Sequence, residues 1–140
     1  MSLVYWDTML FIYLLEGNRQ YGPMVRSIYN RMLQRGDTLC TSYLSFGELL
    51  AGAQGSPPQT IKLVREGFEE MNVDLLAFDF GAVDTFAALR AGQKLATADS
   101  IHLACAAARG IDLFLTGDRR LAKQIVPGIQ FISTIENSPI

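Results

Sequence analysis

At 140 residues, 49% hydrophobic and 19% charged, the chain has the composition of an ordinary globular protein, and its length suits one domain over 1–140 better than two with starved cores. A net charge of −2 and a pI near 5.3 exclude a protein held on nucleic acid by a general basic field, so any RNA must be met by local patches and metal. No apolar run approaches the roughly 18 residues that cross a bilayer, and no secretion signal opens the chain, so a cytoplasmic protein without membrane attachment is expected.

Leu3-Val4-Tyr5-Trp6 is a short apolar run that predicts a buried strand ending at Asp7, and Thr8 to Leu15 continues as an apolar helix closed by Gly17. Tyr21, Val25, Ile28 and Met32 recur at helical spacing and predict an amphipathic helix from Tyr21 to Arg35, stopped at Gly36. Thr38 to Thr41 reads as a second strand. Ser42 or Ser45 is placed to cap a helix running through Phe46, Leu49 and Leu50 to Gly52, and Glu48 lies on it.

Gly55-Ser56-Pro57-Pro58 marks a loop between helices, with its prolines at the start of a helix that continues to about Met71. Val73 to Phe78 predicts a third strand and Asp79 to Arg90 a further helix. Thr97 is expected to cap an alanine-rich helix from about Ala98 to Arg109, ended by Gly110, which puts Asp99 in its first turn. Asp112 to Thr116 predicts a fourth strand, Asp118 to Ile125 a short helix, and Gln130 to Ile132 a final strand. Cys40 and Cys105 stand far apart among apolar or small residues, in no CxxC pattern, which suits reduced thiols.

Strands separated by helices, with apolar runs in place of clean alternation, call for a parallel sheet covered on both faces, a three-layer α/β/α arrangement. In such sheets the ligand crevice lies beyond the carboxyl ends of the strands. Asp7 ends the first strand, Asp118 follows the fourth, and Glu48 and Asp99 sit early on helices, so all four can point into one crevice. Singly, Asp99 and Asp118 are better explained as helix caps or dipole partners. Together, four carboxylates within a few ångströms need protons or a cation, and an oxygen-only donor set selects Mg²⁺ or Mn²⁺ over zinc.

His102 stands three residues after Asp99, and Cys105 continues that row, but one helix face and one other distant cysteine do not make a tetrahedral zinc site. Packing, or support of a metal ligand, is the expected role of His102. Ser100 and His102, two apart on a helix, project apart and form no nucleophilic dyad. No P-loop or GxGxxG stretch is present. Arg119, Arg120 and Lys123 follow the acidic site and are placed to meet phosphates, as are Arg90 and Lys94, although the same charges would serve as a solvated face.

The segments Tyr5-Trp6-Asp7-Thr8, Phe46-Gly47-Glu48-Leu49-Leu50-Ala51-Gly52, Thr97-Ala98-Asp99-Ser100-Ile101-His102-Leu103-Ala104 and Phe114-Leu115-Thr116-Gly117-Asp118-Arg119-Arg120-Leu121 resemble, in order and spacing, the PIN-domain nucleases. The likeness is greatest to the VapC-type toxins of toxin–antitoxin pairs. It implies a PIN fold with a five-stranded parallel sheet and a Mg²⁺- or Mn²⁺-dependent endoribonuclease. Asp7, Glu48, Asp99 and Asp118 would be its metal-binding quartet, with Thr8 and Thr116 in support. It further implies an antitoxin partner docking on first-helix surfaces, where Phe11, Tyr13 and Leu14 otherwise read as core, and a homodimer. Water would attack the scissile phosphate, with Asp7 and Asp99 as principal ligands and Glu48 and Asp118 completing the shell. The competing readings are a PIN-like module that binds RNA or protein without cutting, and a PIN nuclease of RNA processing or DNA.

Overall fold

Apolar runs and cap residues divide the chain into five strands and seven α-helices in the computed structural model, which describes residues 1–140 apart from the side chain of residue 93. The order is β1 (Leu3–Trp6), α1 (Thr8–Leu15), α2 (Gly22–Arg35), β2 (Thr38–Ser42), α3 (Tyr43–Gly52), α4 (Pro58–Glu70), β3 (Asp74–Leu76), α5 (Phe80–Ala88), α6 (Thr97–Arg109), β4 (Leu113–Thr116), α7 (Arg119–Ala122) and β5 (Phe131–Thr134). Every strand pairs parallel to its neighbours, in the order β3-β2-β1-β4-β5. The expected five-stranded parallel sheet is therefore present. The chain builds outward from β1 to β3, then crosses back past β1 to β4 and β5. The reversal between β1 and β4 is the point where open α/β sheets leave a crevice at the carboxyl ends of their strands.

Residues of the central strands alternate between two apolar layers, because successive side chains leave a strand on opposite faces. Val4, Trp6, Leu113 and Leu115 join Leu10, Phe11, Leu14, Val25, Ile28 and Met32 from α1 and α2 on one face. Tyr5, Cys40 and Phe114 join Leu103, Cys105 and Ala106 from α6 on the other. Each fully buried large side chain contributes about 1.5–3 kcal/mol by leaving water. Tyr5 lies flat on Phe114 with ring centres 4.7 Å apart, and Trp6 packs against Phe11 at 5.2 Å. Both faces of the sheet are thus covered, which is why the strands read as apolar runs.

Several boundaries differ from the sequence expectations for local reasons. α6 begins at Thr97, not after it: the Ala96 carbonyl already accepts the Ser100 N–H at 3.0 Å, so Ala96 is the cap and offers no side chain. Asp99 is then the third helical residue. Ser42, not Ser45, caps α3 by accepting the Ser45 N–H. β3 stops at Leu76, which pairs with Ser42, because β2 turns into α3 there and leaves residues 77 and 78 without a partner. A π-turn over Leu89–Gln93 follows α5. α7 shrinks to Arg119–Ala122, since Lys123 and Gln124 bond three residues back in tighter turns before Pro127. β5 starts one residue later than expected because its register pairs Phe131 with Leu113. Among the described residues no helix is long and apolar enough to cross a membrane.

Candidate active site

The first carboxylate is placed by the sheet itself. Asp7 follows the last residue of β1, and its N–H still bonds the Leu115 carbonyl of β4 at 2.9 Å, so the residue sits at the reversal point. It also caps α1: Oδ1 accepts the Thr8 N–H at 2.9 Å, while Oδ2 accepts the Thr116 hydroxyl at 2.8 Å. Thr116 ends β4, is buried, and its Oγ1 also accepts the Asp118 N–H at 3.1 Å. One hydroxyl therefore ties together the Asp7 carboxylate and the backbone of Asp118. Asp118 in turn caps α7, accepting the Arg120 N–H at 2.8 Å.

Glu48 reaches the same crevice from α3. Its Oε1 accepts the Thr8 hydroxyl at 2.8 Å and faces His102 Nε2 at 2.7 Å. His102 Nε2 is also 3.8 Å from Asp7 Oδ1. The His102 hydrogen bond and then that of Thr8 hold the Glu48 carboxyl below the usual carboxylate range, against partial burial. Partial burial pushes Asp118 upward, but hydrogen bonds from Arg120 and Leu121 outweigh it and leave the group lowered. Asp99, half-buried on the first turn of α6, is displaced upward by burial and by the charges of Asp7, Asp118 and Glu48, with His102 opposing.

All four acids, with Thr8, His102, Arg119 and Arg120, line one open crevice of about 920 Å³. It is also lined by Ile12 and by the stacked rings of Tyr13 and Tyr21, 4.9 Å apart. Phe11 and Leu14 are buried in the core as their spacing suggested, whereas Tyr13 is only partly buried. Arg119 and Arg120 are exposed at the rim. Lys123 lines a neighbouring cavity beside β5, and the Arg90 guanidinium bonds the Leu95 carbonyl, so neither Lys123, Arg90 nor Lys94 lines the crevice.

His102 takes neither the zinc nor the dyad arrangement. Its two ring nitrogens are occupied by Tyr5 and Glu48, and Cys105 is buried in the layer beneath the sheet. The serines that touch it are Ser42 and Ser45, both about 1% exposed, while the Ser100 hydroxyl is buried with no hydrogen-bond partner. The sequence led to packing or support of a metal ligand for His102, and it missed the partners Tyr5, Ser42 and Ser45, which read only as strand and cap residues. It likewise missed Tyr21 as a wall of the crevice.

Among the described residues no three His, Cys, Asp or Glu side chains already form a group able to hold a metal ion. The crevice is open and not a closed cage, a form that suits Mg²⁺, which keeps several waters and uses few carboxylates. The donor set fits a hard cation on two further counts. Its candidate donors are oxygens, and Asp99, raised first by burial and then by the charges of Asp7, Asp118 and Glu48, feels a carboxylate repulsion that a cation would relieve.

The PIN domain family model matches residues 4–125. Among solved structures, the chain is similar in fold to VapBC2 from Rickettsia felis bound to a DNA fragment from their promoter, with a TM-score of 0.76 and 14% identity over 94% of this chain and 98% of that one. DNA-bound VapBC from Salmonella typhimurium gives a TM-score of 0.74 and 25% identity, covering 96% of this chain and 99% of that one. VapBC-5 from Mycobacterium tuberculosis gives 0.64 and 18%, covering 94% and 98%. Among curated proteins no sequence matches.

Proposed function

Since the chain belongs to the PIN domain family, a family of nucleases, we propose that it is a Mg²⁺- or Mn²⁺-dependent endoribonuclease, the toxin of a VapBC-type toxin–antitoxin pair. One observation carries the reading: four carboxylates, delivered by the end of β1, by α3, by α6 and by the cap of α7, line a single crevice at the sheet's reversal point. Asp7 and Asp99 are the principal metal ligands in this reading, and Glu48 and Asp118 complete the shell. A divalent cation held there activates water and neutralises charge developing on the phosphodiester.

The chain's own residues then have separate tasks. Thr116 and the Thr8 N–H hold the Asp7 carboxylate through one oxygen each, leaving a lone pair on both. Thr8 and His102 hold Glu48. Arg119 and Arg120 meet the phosphates flanking the scissile one, which gives an acidic protein a local anion-binding edge. RNA is the substrate class in this reading, met at the open crevice.

The VapBC structures that share this fold are two-component assemblies by name, and the same arrangement is proposed here, with an antitoxin seated over the wall formed by Ile12, Tyr13 and Tyr21. A homodimer of one PIN-like domain per chain, spanning 1–140, is part of the same reading.

Purified protein should cleave RNA with Mg²⁺ or Mn²⁺ and lose at least about 100-fold of that rate on chelation with EDTA or on Asp7→Asn substitution, the scale expected when electrostatic stabilisation of developing charge is removed. Cleavage unaffected by both would overturn the proposal. RNA binding that persists unchanged in EDTA, without cleavage, would instead mark a binding module. Growth arrest on expression, rescued by a co-expressed genomic neighbour, tests the toxin role.

A further inference from the structure

Glu48 is held differently from Asp7. Both of its hydrogen bonds fall on one atom: Oε1 accepts the Thr8 hydroxyl at 2.8 Å and faces His102 Nε2 at 2.7 Å, and among the described residues no hydrogen bond reaches Oε2. Two donors on one carboxylate oxygen use the two lone pairs of Oε1. The oxygen that remains available is therefore Oε2.

What makes His102 a donor at Nε2 lies on the far side of its ring. The side chain is 2% exposed, and Nδ1 faces Tyr5 Oη at 2.8 Å, with the Ser42 and Ser45 hydroxyls at 3.3 Å each. Tyr5 Oη accepts the backbone N–H of Ser42 at 3.2 Å. Glu48 as a carboxylate only accepts, so His102 Nε2 carries the proton they share, and a neutral ring then has one direction of bonds on its far side. Ser42 N–H donates to Tyr5 Oη, the Tyr5 hydroxyl donates to His102 Nδ1, and His102 Nε2–H donates to Glu48 Oε1. The proton on Nε2 fixes which carboxylate oxygen of Glu48 is held.

We propose that Tyr5 and His102 are positioning residues that lock Glu48 as a one-oxygen ligand, turning Oε1 inward and presenting Oε2 alone to the divalent cation. The inference rests on the metal-nuclease reading of the crevice. A nucleophilic Ser–His–Glu triad is excluded by burial, because Ser42 and Ser45 sit on the inner side of the ring at about 1% exposure while Glu48 faces the crevice. Tyr5 is well placed as an anchor: its ring is stacked on Phe114 in the core, and its hydroxyl is fixed by the backbone where β2 passes into α3.

The test is Mn²⁺ affinity by titration calorimetry, together with imidazole ¹⁵N chemical shifts, on the wild type, His102→Leu, His102→Gln and Tyr5→Phe. His102→Leu should weaken Mn²⁺ binding by about 10- to 100-fold, the range found when an outer partner of a metal ligand is removed. His102→Gln, whose side-chain amide can donate to Oε1, should recover most of that loss. Tyr5→Phe keeps the stacked ring and should convert the wild type's Nε2–H signature into a tautomer mixture, with a smaller loss of affinity. Unchanged Mn²⁺ affinity in folded His102→Leu, or an Nδ1–H tautomer in the wild type, would overturn the inference while leaving the nuclease reading intact. A wild type that binds no Mn²⁺ would overturn both. Should His102→Leu fail to fold, the glutamine and phenylalanine variants and the tautomer itself still decide.

Discussion

Thr116 makes the strongest single demand at the residue scale, because one hydroxyl both donates to Asp7 and accepts from the Asp118 backbone. Replacing it by valine keeps the volume and removes both bonds, leaving a part-buried carboxylate oxygen and an N–H unpaired. Thr116→Val should cost about 1–3 kcal/mol in chemical denaturation and lower the RNA cleavage rate by more than that stability loss explains. Asp99 offers an opposite case. Its carboxyl is raised in the folded protein, first by burial and then by Asp7, so the folded state binds a proton more tightly than the unfolded chain does. The group therefore favours folding below its unfolded pKa, and that advantage is lost as pH rises from the unfolded value through the folded one. At neutral pH Asp99 is a net liability without metal. Asp99→Asn should raise the metal-free melting temperature at pH 7, have little effect near pH 3, and abolish cleavage. A lower melting temperature at pH 7 would show that the carboxylate is stabilised by its surroundings. Glu48 behaves in the reverse sense. Its lowered carboxyl, held first by His102, contributes stability above its unfolded pKa that is lost as pH falls through the folded value.

At the scale of elements, most of the helix ends were legible because capping is local chemistry. Asp79 and Asp118 cap α5 and α7 through their own side chains, and Gly36 and Gly110 close α2 and α6 at φ of +74° and +76°. Thr97 misled because a threonine before an alanine-rich run looks like a cap, while the helix in fact opens on Ala96, whose carbonyl alone serves. The π-turn after α5 left no sequence mark, since a single turn is too short to set up an apolar period of its own. The loop leading into β5 carries a sharper constraint. Gly128 has φ of +99°, and a Cβ there would lie 2.6 Å from the Ala107 carbonyl oxygen of α6. Gly128→Ala should therefore cost well above the ~1–2 kcal/mol of left-handed backbone alone and should displace β5. Gly110→Ala, with open space around it, should cost only the backbone amount. Equal losses for the two in urea denaturation would contradict the close approach.

Across the whole molecule, the site depends on a reversal of strand order that joins residues remote along the chain. Tyr5 and His102 are 97 positions apart, His102 and Glu48 54, and Asp7 and Thr116 109, yet each pair is in hydrogen-bond contact at the crevice or directly behind it. The sequence by itself determined the strands, the helices and the parallel class of the sheet, because hydrophobic periodicity and end-caps act between near neighbours. It also singled out the four acids, since a carboxylate next to an apolar strand or at a helix start calls for a partner. Only the tertiary structure decided who that partner is. It seated Thr116 on Asp7, gave Glu48 a histidine and a threonine on the same oxygen, and left Lys123 and Arg90 outside the crevice. The reason is physical: right-handed crossovers pack α3 and α6 beside the ends of β1 and β4, and which side chains then lie within 3 Å follows from register and packing, which no local pattern encodes.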